Sequence, residues 1–83
     1  MKLLYFAWLR QHIGRNEETL DVPDSIATVA QLIDWLIERG EGYRAAFADG
    51  TRVRVAINQH HVDRDARVRK FDEVAFFPPV TGG

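Results

Sequence analysis

The sequence contains no cysteine. That excludes a disulfide scaffold, a zinc–thiolate site and a cysteine nucleophile, and makes a reducing cytoplasm the simplest compartment. It has no excess of either charge: 11 Lys and Arg stand against 12 Asp and Glu, for a formal charge of −1 at pH 7. A chain so balanced is not built to grip a nucleic-acid backbone or an anionic membrane. Long hydrophobic runs are missing too. Leu3 to Leu9, bounded by Lys2 and Arg10, is too short to span a bilayer, and no small-residue cleavage site follows it. There is no internal repeat, no low-complexity tract and no glycine-rich phosphate loop, since Gly40 and Gly42 lack the surrounding residues of one.

What remains is an ordinary globular composition. The chain has 83 residues, 46% hydrophobic and 28% charged. This fits one domain with a thin core and rules out wholesale disorder.

Lys2 to Arg10, KLLYFAWLR, is rich in aromatic and aliphatic residues and predicts a strand. Both of its faces are apolar, with Leu3, Tyr5, Ala7 and Leu9 on one and Leu4, Phe6 and Trp8 on the other. Such a strand must be covered on both sides. Gly14 marks a turn, and Glu17 to Val22 predicts a second, antiparallel strand stopped by Pro23. The helix is the clearest element. Val29, Leu32, Ile33, Leu36 and Ile37 form one stripe, Thr28 and Gln31 make a capping box, and Gly40 marks the end. Trp35 lies off that stripe, as a flank contact or exposed. Tyr43 to Asp49 is a short helical turn or irregular, and Asp49-Gly50 is a turn. Arg52 to Asn58 alternates as a strand, His60 to Val62 can pair beside it, and Glu73 to Phe77 is the last strand, with Val74 and Phe76 inward and Ala75 and Phe77 outward. One helix for four or five strands predicts an α+β fold, a mixed sheet with the helix on one face.

The chain then runs Pro78, Pro79, Val80, Thr81, Gly82, Gly83. The prolines cannot continue a ladder and favour an extended path. Six residues reach roughly 20 Å at about 3.3 Å each. Gly-Gly is the thinnest peptide there is, able to enter a channel that rejects any side chain. Alone, such an end is most simply a frayed terminus. Following directly on an apolar strand and two prolines, it suggests a body of residues 1–77 and an extended flexible tail of residues 78–83.

A strand–strand–helix–strand order ending in Gly-Gly resembles the ubiquitin-like β-grasp proteins. The segment DEVAFFPPVTGG, Asp72 to Gly83, is similar to the end of the small-subunit family of molybdopterin synthase. LLYFAWLR with Gly14 after it, the turn at Ala48 to Gly50 and VAINQ at Val55 to Gln59 agree. The likeness covers essentially the whole chain. Phe71 departs from it, standing where the family usually has a glycine in a turn, and so does His61, where an apolar residue is usual.

That resemblance implies a sulfur carrier. In the family, an adenylyltransferase related to ubiquitin-activating enzymes uses ATP to adenylate the terminal glycine, here Gly83. A sulfur donor enzyme then supplies the sulfur of a thiocarboxylate. The tail, Pro78 to Gly83, enters the active site of the synthase's large subunit, where the sulfur passes to a pterin precursor. The carrier binds no cofactor and holds no catalytic side chain, and a heterotetramer is expected. The resemblance also places a docking patch beside the tail, at Phe6, Phe77, Arg10, Arg54 and His61. Three other readings share parts of the sequence: a β-grasp carrier for thiamine, an amino acid or tRNA thiolation, a ubiquitin-like modifier that joins lysines, and an interaction domain with an inert tail.

Other features carry less. His60 and His61 are adjacent, His12 is isolated, and neither forms a metal-ligand spacing, so no metal site is expected. Arg64 to Lys70 is locally basic but diluted by Asp63, Asp65 and Asp72. It is a solvated face or an electrostatic contact to an acidic partner. No Ser/His/Asp constellation can be drawn.

Overall fold

The last strand in sequence is the middle strand of the sheet. In the computed structural model, which describes residues 1–79, β5 (Glu73–Phe77) lies between β1 (Lys2–Tyr5), parallel to it, and β3 (Arg54–Ile57), antiparallel. β2 (Glu17–Thr19) pairs antiparallel outside β1 and β4 (His60–Val62) antiparallel outside β3, giving the order β2-β1-β5-β3-β4. Burial alternates along β5: Val74 and Phe76 are buried, while Glu73, Ala75 and Phe77 are half-buried. The inner face carries Leu3, Tyr5, Val55, Val74 and Phe76.

The helix α2 (Val29–Ile37) supplies Val29, Leu32 and Leu36 to the same core. Its start is built as the sequence predicts. The Thr28 hydroxyl accepts from the Gln31 amide N–H at 3.2 Å, and the Gln31 side chain accepts from the Thr28 amide N–H at 3.3 Å. It ends at Ile37 with Glu38 as cap, short of Gly40, which instead leads into α3 (Glu41–Ala46). Trp35 is a flank contact, half-buried with the Arg39 guanidinium 5.4 Å from its ring. This mixed five-stranded α+β sheet with its main helix on one face is a β-grasp fold.

The first strand is shorter than its composition predicts. β1 stops at Tyr5, and residues 8–13 form a helix, α1 (Trp8–Ile13). A continuous apolar run does not by itself distinguish strand from helix. Here Leu9 and Ile13 fall at i and i+4 and face the core, and Gly14 closes the helix in the left-handed region at φ 89°, its N–H donating to the Arg10 carbonyl at 2.8 Å. Between strand and helix, Ala7 has φ 54° and ψ −129°, and the Leu9 N–H donates to the Phe6 carbonyl at 3.2 Å. These are the dihedrals and the hydrogen bond of a type II′ turn, whose second position normally needs glycine. The turn sends Trp8 to α3, where its indole N–H donates to the Ala46 carbonyl at 3.2 Å, rather than to the outer sheet face.

β2 and β3 are likewise shorter than Glu17 to Val22 and Arg52 to Asn58, residues 50–52 being a 3₁₀ turn. Asn58 and Gln59 link β3 to β4 with φ 50° and 71°, a two-residue hairpin turn with both centres left-handed. α3 packs on α1 at Gly42, where an added Cβ would strike the His12 carbonyl oxygen.

Candidate functional site

Strand alternation and register assemble the outer sheet face. Leu4 stands beside Ala75, Ala75 beside Ala56, and Ala56 beside His61, while Phe77 pairs with Arg54. The middle of this row is two alanines wide. Ala56, 7% exposed, offers only a methyl, so the rings flanking β3 can close over it. His61 and Phe77 meet there edge to face, with centroids 5.2 Å apart. An edge-to-face arrangement is a favourable geometry for aromatic pairs. Phe6 follows β1 at the same end as Phe77, and its N–H donates to the Phe76 carbonyl at 3.1 Å. It is 47% exposed, one of two large hydrophobic side chains so open among the described residues.

The structure thus gathers Phe6, Phe77, Arg54 and His61 at one end of the outer face, where β5 runs into Pro78 and Pro79. Arg10 is not on the sheet. It lies exposed on α1, because the chain turns at Ala7. Both prolines are half-buried, and Val80, Thr81, Gly82 and Gly83 lie outside the described residues. Leu4, Ala56 and Ala75 complete the face. Their outward positions are legible in the strand alternation, but their small or central side chains give no functional signal.

The face has an apolar floor, a cation at Arg54 and an imidazole at His61. That composition suits a protein surface better than a small molecule. No group of three or more metal-ligating side chains exists among the described residues, and no helix among them is long and apolar enough to cross a membrane.

The inner face holds a polar cluster that sequence reasoning missed. Glu18, 9% exposed, points inward from β2. Its Oε2 accepts from the Tyr5 hydroxyl at 2.7 Å and the Tyr43 hydroxyl at 2.6 Å, while Arg15 approaches Oε1 at 3.1 Å and Arg39 at 3.9 Å. The one available signal was its place between Glu17 and Thr19 in an alternating segment.

Comparison with known proteins places this geometry. A family model described as the ThiS family matches residues 3–83. The chain belongs to the ThiS family. Within that family, it is 36% identical over 83 residues to a molybdopterin synthase sulfur carrier subunit of Haemophilus influenzae, covering 100% of this chain and 99% of the relative. Among solved structures, this ThiS-family chain is similar to a Pyrococcus furiosus protein described as subunit 1 of the molybdopterin converting factor. The TM-score is 0.76 and the identity 31%, over 95% of each chain. It is also similar to small archaeal modifier protein 1 of Haloferax volcanii, with TM-score 0.73 and 28% identity over 96% of this chain and 97% of that one.

Proposed function

We propose that the protein is the sulfur carrier subunit of a molybdopterin synthase. The observation that carries this reading is an open apolar face at the end of β5 that leads into Pro78 and Pro79, in a chain that is 36% identical throughout to a sulfur carrier subunit and has Gly82-Gly83 further along its sequence. The chemistry follows from what the chain lacks. With no cysteine, it has no side chain that forms a persulfide, so the carrier atom is the Gly83 carboxylate.

A carboxylate resists nucleophiles. ATP converts it to an acyl-adenylate with loss of pyrophosphate. A persulfide on a donor enzyme then displaces AMP to give an acyl disulfide, and a thiol of the partner enzymes cleaves its S–S bond, releasing the thiocarboxylate and leaving a disulfide behind. In the large subunit, the thiocarboxylate sulfur attacks an oxygen-bearing carbon of the pterin precursor, whose oxygen leaves as water. A second water cleaves the acyl–sulfur bond, leaving the sulfur on the pterin and regenerating the carboxylate. The ATP-dependent adenylyltransferase, the sulfur donor and the large subunit supply the catalytic groups. The outer sheet face docks them while residues 78–83 form the tail that reaches their active sites.

Mass spectrometry of the protein isolated with its activating partners tests this. The expected result is a C-terminal peptide heavier by one oxygen-to-sulfur exchange, and deletion of Gly83 should abolish sulfur transfer with the fold intact. A truncated chain that still supported molybdopterin formation would overturn the reading. Similarity to small archaeal modifier protein 1 supports a second reading, a ubiquitin-like modifier. Gly-Gly remnants on lysines of other proteins, with no thiocarboxylate, would favour it. A thiocarboxylate delivered to a thiazole synthase or a tRNA-modifying enzyme would point to another carrier pathway.

A further inference from the structure

We propose that the turn at residues 69–72, at the end of β5 away from the tail, is a second docking surface that takes an acidic, apolar-anchored peptide segment of a partner protein. Phe71 is 90% exposed. The turn does not require it: its φ is not positive, and a turn closed by the Asp72 N–H donating to the Arg69 carbonyl at 3.0 Å accepts most residues. The core does not hold it. The Lys70 ammonium lies 5.8 Å from the ring centroid.

Three cations precede this ring in sequence, and Asp72 and Glu73 follow it. Arg67, Arg69 and Lys70 make no ion pair among the described residues, whose salt bridges all lie elsewhere. The nearest carboxylate within the turn is occupied: Asp72 accepts from the Arg69 amide N–H at 2.7 Å and from the Asn58 side chain at 3.0 Å. Beside the turn is a groove of about 240 Å³ lined by Met1, Val22, Ile26 and Val68, with Arg69 and Lys70 on its rim and Asp24 the one carboxylate there. Met1, Val22 and Val68 are themselves largely buried, so the groove has an apolar floor and a mainly cationic rim.

The surface is also held rigid. The Val68 N–H donates to the Ala27 carbonyl at 2.9 Å, the Val29 N–H to the Ala66 carbonyl at 3.0 Å, and Arg67 bridges Thr28. A surface already fixed by backbone bonds loses little freedom on binding.

Charge complementarity selects the occupant. Carboxylates fit the unpaired cations, and an apolar side chain fits the groove beside Phe71. Three cations on a chain of net charge −1 are too few for a polyanion track, and one aromatic with a short basic stretch falls short of the two signals stable membrane anchoring needs. The five residues of β5 separate this turn from Pro78 by roughly 16 Å at about 3.3 Å per residue. A partner could therefore hold this end while the sheet face and tail engage another. The inference does not rest on the sulfur-carrier reading.

The test is an NMR titration of the full ¹⁵N-labelled chain with the acetylated peptide Glu-Glu-Leu-Asp-Glu-Leu. Expected are shifts confined to Val68–Asp72, Met1 and Val22–Ile26. Affinity should fall about tenfold in Phe71→Ser, the loss typical of a central aromatic anchor. It should also fall several-fold as salt rises from about 50 to about 300 mM. Arg69→Glu with Lys70→Glu should abolish binding while thermal melts stay unchanged. The proposal is overturned by absence of peptide binding, by shifts on the outer sheet face instead, or by unaltered affinity in the variants. Tighter binding to phosphatidylserine vesicles or to oligouridylate than to the peptide would also overturn it.

Discussion

Tyr43 reaches from α3 to donate its hydroxyl hydrogen to Glu18 Oε2 at 2.6 Å, the same oxygen that accepts from Tyr5 on β1 at 2.7 Å. One carboxylate thus ties β1, β2 and α3 together, with Arg15 and Arg39 offsetting its charge. Glu18→Gln keeps the shape and one acceptor oxygen for the two hydroxyls, but it removes the charge that strengthens both hydrogen bonds and turns an NH2 toward the Arg15 and Arg39 guanidiniums. Hydrogen bonds to charged groups contribute about 1.5–3 kcal/mol each, and the two are coupled, so a loss of about 2–4 kcal/mol is expected. Urea denaturation measures it. Tyr43→Phe should cost about 1–2 kcal/mol, since Tyr5 still serves the carboxylate.

The same cluster sets a limit in alkali. Burial is the main reason the Tyr5 hydroxyl is pushed well above its ordinary pKa, with the Glu18 hydrogen bond adding to it. Tyr43 is raised by the same two causes in the same order. Both pKa values are higher folded than unfolded. The stability they contribute is therefore full below about pH 10 and is lost as pH rises from there, because the unfolded chain gives up its protons first. The sequence has 2 tyrosines, so the whole tyrosinate absorbance reports on this cluster. It should appear together with loss of circular dichroism above pH 10. Ionisation near pH 10 with the fold intact would show that neither hydroxyl is held as described.

Much of this architecture is legible in the residues, and the misses have physical causes. Thr28 and Gln31 announce the start of α2, and Val74 and Phe76 announce the buried face of β5, because a cap and an alternation are local signals. The helix at residues 8–13 is not legible, since Phe6, Ala7, Trp8 and Leu9 are equally apolar in either period and only the turn at Ala7 decides. Arg10 leaves the predicted patch for that reason alone. Glu18 looks like a surface acid until Tyr5 and Tyr43, 13 and 25 residues away, are folded against it. Phe77, Arg54 and His61 are grouped in the sequence only through the family resemblance, because the strand pairing that brings them together joins segments distant in the chain. Phe71, in place of a glycine, fits because its turn asks for no positive φ.

Ala7 holds dihedrals that glycine adopts freely. A residue other than glycine in such a region costs on the order of 1–3 kcal/mol. Ala7→Gly removes that strain but adds freedom to the unfolded chain, leaving a net gain of about 0.5–1.5 kcal/mol. The midpoint of thermal unfolding should rise by several degrees, given about 4–8 °C per kcal/mol for a domain this size. Ala7→Val should lower it.

Gly42 is required for space. Its Cα faces the backbone of His12, and the obstacle to a Cβ is a carbonyl oxygen that cannot rotate aside. Gly42→Ala must push α3 off α1, straining the Trp8–Ala46 hydrogen bond and loosening Leu9 and Phe47. The usual helix advantage of alanine over glycine, about 1 kcal/mol, should be reversed to a net loss of about 1–3 kcal/mol. Calorimetry decides the sign, and tryptophan fluorescence shows whether Trp8 has moved.

Phe77 and Arg54 are neighbours in register on the outer face, yet they should affect docking in different ways. Phe77 offers area. Its truncation to alanine removes the ring that His61 packs against, and should weaken binding to a molybdopterin synthase large subunit at least tenfold, chiefly through faster dissociation. The cost to the fold should be near 1 kcal/mol, because Phe77 is only half-buried. Arg54 offers charge at an exposed position, so Arg54→Glu should slow association and flatten its dependence on salt while melting stays unchanged. Stopped-flow association and surface-resonance dissociation measured on both variants separate the two roles. Equal effects on both rates would mean that the face does not divide into an apolar anchor and a steering cation. No effect from either variant would move the docking site off this face altogether.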